Sequence, residues 1–328
     1  MLAAFVLTSC EHKELCFKHP HTVRLHVTFD WTKAPEATPA GMVVLFYPVE
    51  GGPCKRVDFQ GKKGGEIELA LGRYRIIYHN NDSEVNQYAN MNDFDRYKVF
   101  TRTGHIFEPI YGNATGITPT GGVLKGEEPV HISPDKLFAG NVQMIEITDK
   151  GVEYMAGERC DYKNGQVGGG YIINEWTIAL RPVIRTATYT YEIRHVSNLR
   201  SAEQMSGSLS GMCMGGYLGS LALERNGTVT IPFDAYSDGE STITGQFCTF
   251  PRCHEHTPKT IFCLYVWLKN GGKYYYSYDV TNQVDDAPDP YNVHIIIDGP
   301  DLPQDIGGDN DFDVAVDDWS EVEEEIIL

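Results

Sequence analysis

Ala187-Thr188-Tyr189-Thr190-Tyr191-Glu192-Ile193-Arg194-His195-Val196 is the stretch that decides the fold. Tyr189, Tyr191, Ile193 and His195 alternate with Thr188, Thr190, Glu192 and Arg194. Successive side chains of a strand point to opposite faces of a sheet, so this period of two predicts a strand with one face on a core. Val23 to Phe29 alternates in the same way. Met42 to Tyr47 is continuously apolar and predicts a more central strand, stopped by Pro48 and by Gly51-Gly52-Pro53. Ile67–Leu71 and Tyr74–Tyr78, on either side of Gly72, predict two strands joined by a tight turn. Tyr97–Arg102, His105–Pro109 and Gln143–Thr148 are further candidates. Later come Glu175–Leu180, Thr228–Phe233, Thr242–Phe250, Ile261–Lys269, Lys273–Tyr278 and Val293–Asp298, with Asn270-Gly271-Gly272 as a hairpin turn. Ser197–Met205 is the one segment of the second half that reads as a helical turn or two. Short strands, regular turns and almost no helix predict an all-β protein of two β-sandwich-like domains.

A chain of 328 residues exceeds the usual single core, which agrees with two domains. Lys163-Asn164-Gly165-Gln166-Val167-Gly168-Gly169-Gly170 is polar, glycine-rich and without period, so it is the expected divide. No Lys-Ser/Thr pair and no helix pattern follows it, which argues against a phosphate-cradling loop. The expected units are a tether over 1–21, a sandwich over 22–165, and a sandwich over 170–328 that ends in an acidic tail, Glu321 to Glu325. The formal charge of −18 argues against a nucleic-acid partner, because phosphate binding needs a basic face.

Residue constellations that carry chemistry are thin. The densest set of possible metal ligands is Cys248, Cys253, His254, His256 and Cys263. The two histidines are too close for a zinc pattern, and Cys263 sits in an apolar run, so no metal is expected. Asp309, Asp311 and Asp313 imitate a calcium loop, but Val314 stands where glycine is required and Ser320 where glutamate is. Ser208-Leu209-Ser210-Gly211 lacks the order of a nucleophile elbow. No catalytic residue and no cofactor is expected. The eight cysteines are irregularly spaced and most read as small buried hydrophobes. Trp31, Trp176, Trp267 and Trp319, with Tyr274-Tyr275-Tyr276, could stack on sugar rings. Against that, alternate aromatics in strands are core, which is the expectation for Trp267. Adjacent tyrosines face opposite sides, so half of them are expected to meet solvent or a partner.

The chain opens on an apolar run, Leu2 to Leu7, that closes on Thr8-Ser9-Cys10. This resembles a bacterial lipobox, in which Cys10 becomes a lipid-carrying N-terminus. The alternative is a clipped N-terminus with a stray thiol. No basic segment precedes the run, which places the expected start codon upstream. Glu11, Lys13 and Glu14 faintly resemble surface-export signals.

The lipobox, the Gly41–Pro48 strand and Leu71-Gly72-Arg73-Tyr74-Arg75-Ile76-Ile77-Tyr78-His79-Asn80 resemble the first domain of fimbrillin-related lipoproteins of Gram-negative anaerobes. Leu180-Arg181-Pro182-Val183, the Thr188–Val196 strand, Ser208–Met212 and Phe312–Val322 with Trp319 resemble the second. The resemblance implies two tandem transthyretin-like sandwiches in a pilus subunit, or in a lipoprotein that anchors or caps one. It implies other fimbrial subunits as partners, outer-membrane location through lipid on Cys10, and no catalysis. Assembly by strand addition needs an exposed sheet edge. Phe312, Val314 and Val316 form a period-two candidate donor; the competing reading is a last strand docked in its own domain. Val23–Phe29 is the alternative, as a removable plug beginning near Arg24. A surface glycan-binding lipoprotein is the rival function.

Overall fold

The computed structural model describes residues 21–104, 128–153, 169–253, 259–304 and 320–322. The first half supplies β1 (Thr22–Phe29), β2 (Gly41–Pro48), β3 (Lys55–Gln60), β4 (Gly64–Ala70), β5 (Gly72–Asn80), β6 (Gln87–Ala89), β7 (Lys98–Phe100), β8 (Phe138–Thr148), β9 (Gly151–Glu153), β10 (Gly169–Asn174), β11 (Thr177–Arg181) and β12 (Val183–Ile184). The second supplies β13 (Ala187–Arg194), β14 (Ala202–Cys213), β15 (Gly215–Tyr217), β16 (Thr228–Asp234), β17 (Tyr236–Ser237), β18 (Ile243–Thr249), β19 (Ile261–Leu268), β20 (Lys273–Asp279), β21 (Asn292–Asp298) and β22 (Ser320–Val322). Among the described residues, helix is confined to 3-10 turns at Trp31–Lys33 and Leu199–Ser201 and to α1 (Thr281–Asp285).

The fold is all-β, as the period-two stretches predict. In the first sandwich the sheet β10-β11-β1-β4 covers the sheet β12-β8-β5-β2-β3. Leu25, Val27 and Phe29 of β1 and Ile178 and Leu180 of β11 face Val44, Phe46, Ile76 and Tyr78. Burying each such side chain removes apolar surface from water at roughly 25 cal/mol per Å². The hydroxyl of Tyr78 lies within hydrogen-bond distance of the carbonyls of Gly169 (2.7 Å) and Arg181 (2.9 Å), shares its single proton between them, and so ties the two sheets together. The ring passes over Gly140, where a Cβ would lie 2.2 Å from the hydroxyl oxygen. In the second sandwich β17-β18-β13-β21 covers β16-β14-β19-β20-β22. Here Tyr191 donates to the carbonyl of Asp234 (2.8 Å) and crosses Gly245.

The two sandwiches repeat one strand order. β1 lies between an antiparallel β4 and a parallel β11, and β13 lies between an antiparallel β18 and a parallel β21. On the facing sheets, β12-β8-β5-β2-β3 corresponds to β22-β20-β19-β14-β16.

Three departures from the sequence reading have physical causes. The glycine-rich stretch was expected to divide the chain, yet of the strands that follow it β10 pairs with β11, β11 with β1 and β12 with β8. The change of sandwich comes at Arg185–Thr186, because β11 joins β1 in parallel and no local pattern announces so distant a partner. The helix expected at Ser197–Met205 shrinks to a 3-10 turn, and Ala202 already opens β14, the longest described strand. Serines and glycines hide β14 from a hydrophobic count, and Gly207 has to be bare because the ring of Phe233 lies over it. The charged β3 was not among the expected strands; it is an edge strand with mostly exposed side chains. The candidate at His105–Pro109 lies outside the described residues.

A third core joins the halves. Val43, Leu45, Tyr47 and Ile77 on the outer face of the first sandwich pack with Phe94, Tyr97 and Val99, and with Cys213, Leu218 and Phe250 from the second half. This explains the unbroken apolar run of β2, which is buried on both faces. β15 pairs with β7 across the junction, and Gly215 lets its backbone close to within a would-be Cβ distance of 2.0 Å from the carbonyl of Val99. The ammonium of Lys98 reaches buried Glu224 at 3.1 Å.

Candidate functional site

A sheet edge presents backbone donors and acceptors to any strand that can reach them. The edges of this molecule are not equally open. β3 carries Lys55, Arg56 and Asp58, charges that discourage a neighbour. β16 contains Pro232, which lacks an N–H, and its Thr230 exchanges hydrogen bonds with Pro129 and His131 (3.0 Å each). β21 is capped by a side chain. The amide of Gln283 on α1 donates to the carbonyl of Ile296 (2.9 Å), and its oxygen accepts from the Ile296 N–H (2.8 Å).

The edge of β20 is different. Its neighbour is β22, which pairs in parallel at Tyr274↔Ser320, Tyr275↔Glu321 and Tyr276↔Val322. Among the described residues, these three pairs cover fewer than half of the seven residues of β20. Glu321, expected in a solvated tail, is thus within a strand. Phe312, Val314 and Val316, the expected donor, lie outside the described residues, as does Cys10.

The alternative plug, β1, is a central strand with both edges paired and with Leu25 and Val27 fully buried. Arg24 is exposed and meets Glu68 at 3.3 Å.

The aromatic candidates separate. Trp31 is half-buried, donates its indole N–H to the carbonyl of Lys62 (2.9 Å) and packs edge-on to Phe138. Trp267 was expected in the core, but it is only half-buried, with the Lys273 ammonium 5.1 Å from its ring centre. Tyr275 and Tyr276 point to opposite faces as strand geometry demands, yet both are buried. Trp176 stands out at 40% exposed, beside Ile173. Trp319 lies outside the described residues.

Among the described residues no three metal-ligating side chains gather. Cys253 belongs to the junction core, Cys263 is buried in β19, and His254 and His256 lie outside the described residues. Burial pushes the Cys54 thiol up to about 11 and raises that of Cys248, so neither is a ready nucleophile. The sequence reading did not single out His79. It is fully enclosed, stacked on Tyr88 at 4.4 Å, with Nδ1 2.7 Å from the Asn80 carbonyl and Nε2 2.8 Å from the Tyr97 hydroxyl. Burial, helped by Arg56, lowers its pKa to about 4 against the opposing pull of the Asn80 carbonyl and Asp58. A neutral ring locked in this way serves the fold. A cleft of about 500 Å³ opens where the sandwiches meet, lined by Lys33, Glu36, Asp82, Asp135, Thr188 and Asn292 among others.

Comparison with known proteins places these features in context. A family described as Domain of unknown function (DUF5119) matches residues 9–234. A Bacteroides ovatus protein that carries the provisional name fimbrium anchoring subunit Fim4B is 22% identical over 259 residues. That match takes in 78% of this chain and 64% of the relative, so the chain spans just under two thirds of that relative's length. Among solved structures, a provisionally named adhesin from Bacteroides ovatus superposes with a TM-score of 0.56 at 18% identity, over 91% of this chain and all of that one. The fimbrial anchor protein Mfa2 from Porphyromonas gingivalis covers 83% of this chain and 90% of its own, with 13% identity and a TM-score of 0.44. The fimbrial resemblance drawn from sequence motifs is borne out by the family and by the named relative. The adhesin structure supports a shared fold.

Proposed function

We propose, on the premise that this chain belongs to the family described as Domain of unknown function (DUF5119), that it is an accessory or anchor subunit of a fimbrium. It is held at the cell surface by lipid on Cys10 and joined to its neighbours by β-strand addition. The observation that carries this reading is the edge of β20, which among the described residues is paired at three positions by a parallel strand, β22. The edges of β3, β16 and β21 are blocked by charge, by proline and by a capping amide. An incoming strand that paired along all of β20 would make more backbone bonds than β22 makes and would displace it. Two similarities support the reading: the name of the relative matched over 78% of the chain, and the adhesin fold. The work is structural, not catalytic.

The test uses chain truncated before Phe312 and peptides of candidate donor strands, its own residues 312–322 among them. A donor that fits raises the melting temperature of the truncated chain and lowers that of no control protein. If no peptide stabilises the chain, strand addition at β20 is wrong. Lipid anchoring is tested apart from this: Cys10→Ala releases the protein from the membrane fraction, and persistence there refutes the anchor.

One feature favours the rival glycan reading. The cleft between the sandwiches offers carboxylates, an amide and hydroxyls, groups suited to sugar hydroxyls. Measurable affinity for an oligosaccharide, lost on Asp82→Ala, would bring that reading forward.

A further inference from the structure

The chain enters the first sandwich at His21, and four turns surround the point of entry. β1 starts there, with Thr22 opposite Ala70, and the N–H of Leu71 donates to the His21 carbonyl at 2.9 Å. Leu71 is the turn between β4 and β5. The turn after β2 is beside it, with the N–H of Val49 on the carbonyl of Arg73 (2.9 Å) and Glu50 paired to Arg73 at 2.6 Å. The turn between β8 and β9 is at the same end, because Ile147 pairs with Gly72. It touches the β10–β11 hairpin, where the N–H of Val152 donates to the Glu175 carbonyl at 2.7 Å. The second sandwich departs from the other end, where β5 finishes at Asn80 beside Ile184 and Thr188.

Among the described residues, the entry end carries most of the exposed large apolar side chains. Seven are found among the described residues, and four of them, Val49 and Leu71 (38% each), Trp176 (40%) and Ile173 (55%), lie on these turns. Each is on a different part of the chain except Ile173 and Trp176, which share one hairpin tip. A shallow hollow beside Trp176 is lined by Arg24, His26, Glu66 and Asn174. The charges at this end have both signs: Arg24, Arg73 and Lys150 against Glu50, Glu66, Glu175 and Asp149. Such a surface has no strong preference for an anionic or a cationic partner. Tryptophan and leucine rimmed by mixed polar groups match the boundary between headgroups and acyl chains of a bilayer.

We infer that the entry end of the first sandwich rests on the membrane, with Trp176 and Ile173 inserted at the lipid–water boundary. The inference rests on the lipid-anchor reading. Only the eleven residues Glu11 to His21 separate Cys10 from β1, so the anchor holds this end within at most roughly 40 Å of the bilayer. At that range a contact too weak to bind free protein is populated, because tethering raises its effective concentration to the millimolar scale. The second sandwich, with the edge of β20, then points away from the membrane, toward where a pilus partner stands.

The test replaces residues 1–10 with a polyhistidine segment and binds the chain to zwitterionic vesicles that contain a nickel-chelating lipid, with and without brominated acyl chains. The tag bypasses Cys10, so failure of the lipid reading and failure of this one are separable. The expected result is a loss of tryptophan emission on brominated vesicles. The loss disappears in Trp176→Phe and weakens in Ile173→Glu. It is absent when the tag is moved to the C-terminus. Equal emission on both kinds of vesicle in the N-terminally held chain overturns the inference, as does quenching that survives in Trp176→Phe. Both substitutions are at exposed positions, and an unchanged melting temperature in solution establishes that they fold.

Discussion

The two sandwiches differ at the last strand of an otherwise shared order. In the first, β12 follows β11 after Pro182 alone and turns back antiparallel to β8, at Val183↔Ala139 and Ile184↔Phe138. In the second, β22 arrives only after the stretch 299–319 and runs parallel to β20. A strand joined through one residue to a buried neighbour has little freedom to leave. Along β8, β12 pairs at two residues and the adjoining β9 at three, both within short connections, whereas among the described residues the cover of the β20 edge is β22 alone, the strand that the proposed strand addition would replace. The contrast matches the roles proposed above, in which the first half is held at its entry point and the second offers an edge.

Deep-core truncation gives the largest expected effect on this comparison. Phe46→Ala in the first core and Phe262→Ala in the second should each cost about 3–5 kcal/mol, because both rings are fully buried. The junction core and the β7–β15 pairing couple the halves, so calorimetry should record one transition that either substitution lowers. Two separate transitions, each moved by one substitution only, would break the coupling.

Acid comes next, and it acts from the first sandwich and the junction. His79 takes a proton near 6.5 when unfolded and only near pH 4 when folded. Below pH 6.5 the unfolded chain therefore binds more protons. Stability is fully present above 6.5 and falls as the pH drops toward 4, by up to roughly 3 kcal/mol. Denaturation measured at pH 7 and pH 5 should differ, and His79→Gln should shrink the difference. An unchanged pH dependence in that variant would remove His79 as its source.

A smaller effect sharpens the likeness between the halves. Tyr78→Phe and Tyr191→Phe each delete a hydroxyl that ties one sheet to the other. About 1–2 kcal/mol is expected for each, with Tyr78 the larger because its loss leaves two carbonyls without their shared donor. Urea denaturation of the two variants checks the order.

The sequence disclosed what local periodicity can carry. Tyr189, Tyr191 and Ile193 announced β13 through strict alternation, and the apolar run from Met42 announced a strand buried on both faces. It disclosed little that depends on distant partners. Nothing near Thr177 says that it will lie parallel to His26, so the divide between the sandwiches was placed too early. β14 was hidden because its serines and glycines carry no apolar signal, and the ring of Phe233 that covers Gly207 is brought there only by the fold. The candidate site divides in the same way. Its lipid and donor residues were read from short motifs and lie outside the described structure. The edge that makes the site depends on what happens to cover β20, β21 and β16. Gln283, which caps β21, carries no signal in the sequence, since its hydrogen bonds to Ile296 depend on where α1 lands.

Native-state hydrogen exchange at the two closing strands tests the central claim most directly. The account predicts that backbone amides of β22 and of the β20 edge exchange through local opening, well before those of β12 and the facing edge of β8. It also predicts that a fitting donor peptide slows exchange in β20 while leaving β8 unchanged. Equal protection at both edges, lost only on global unfolding, would contradict it.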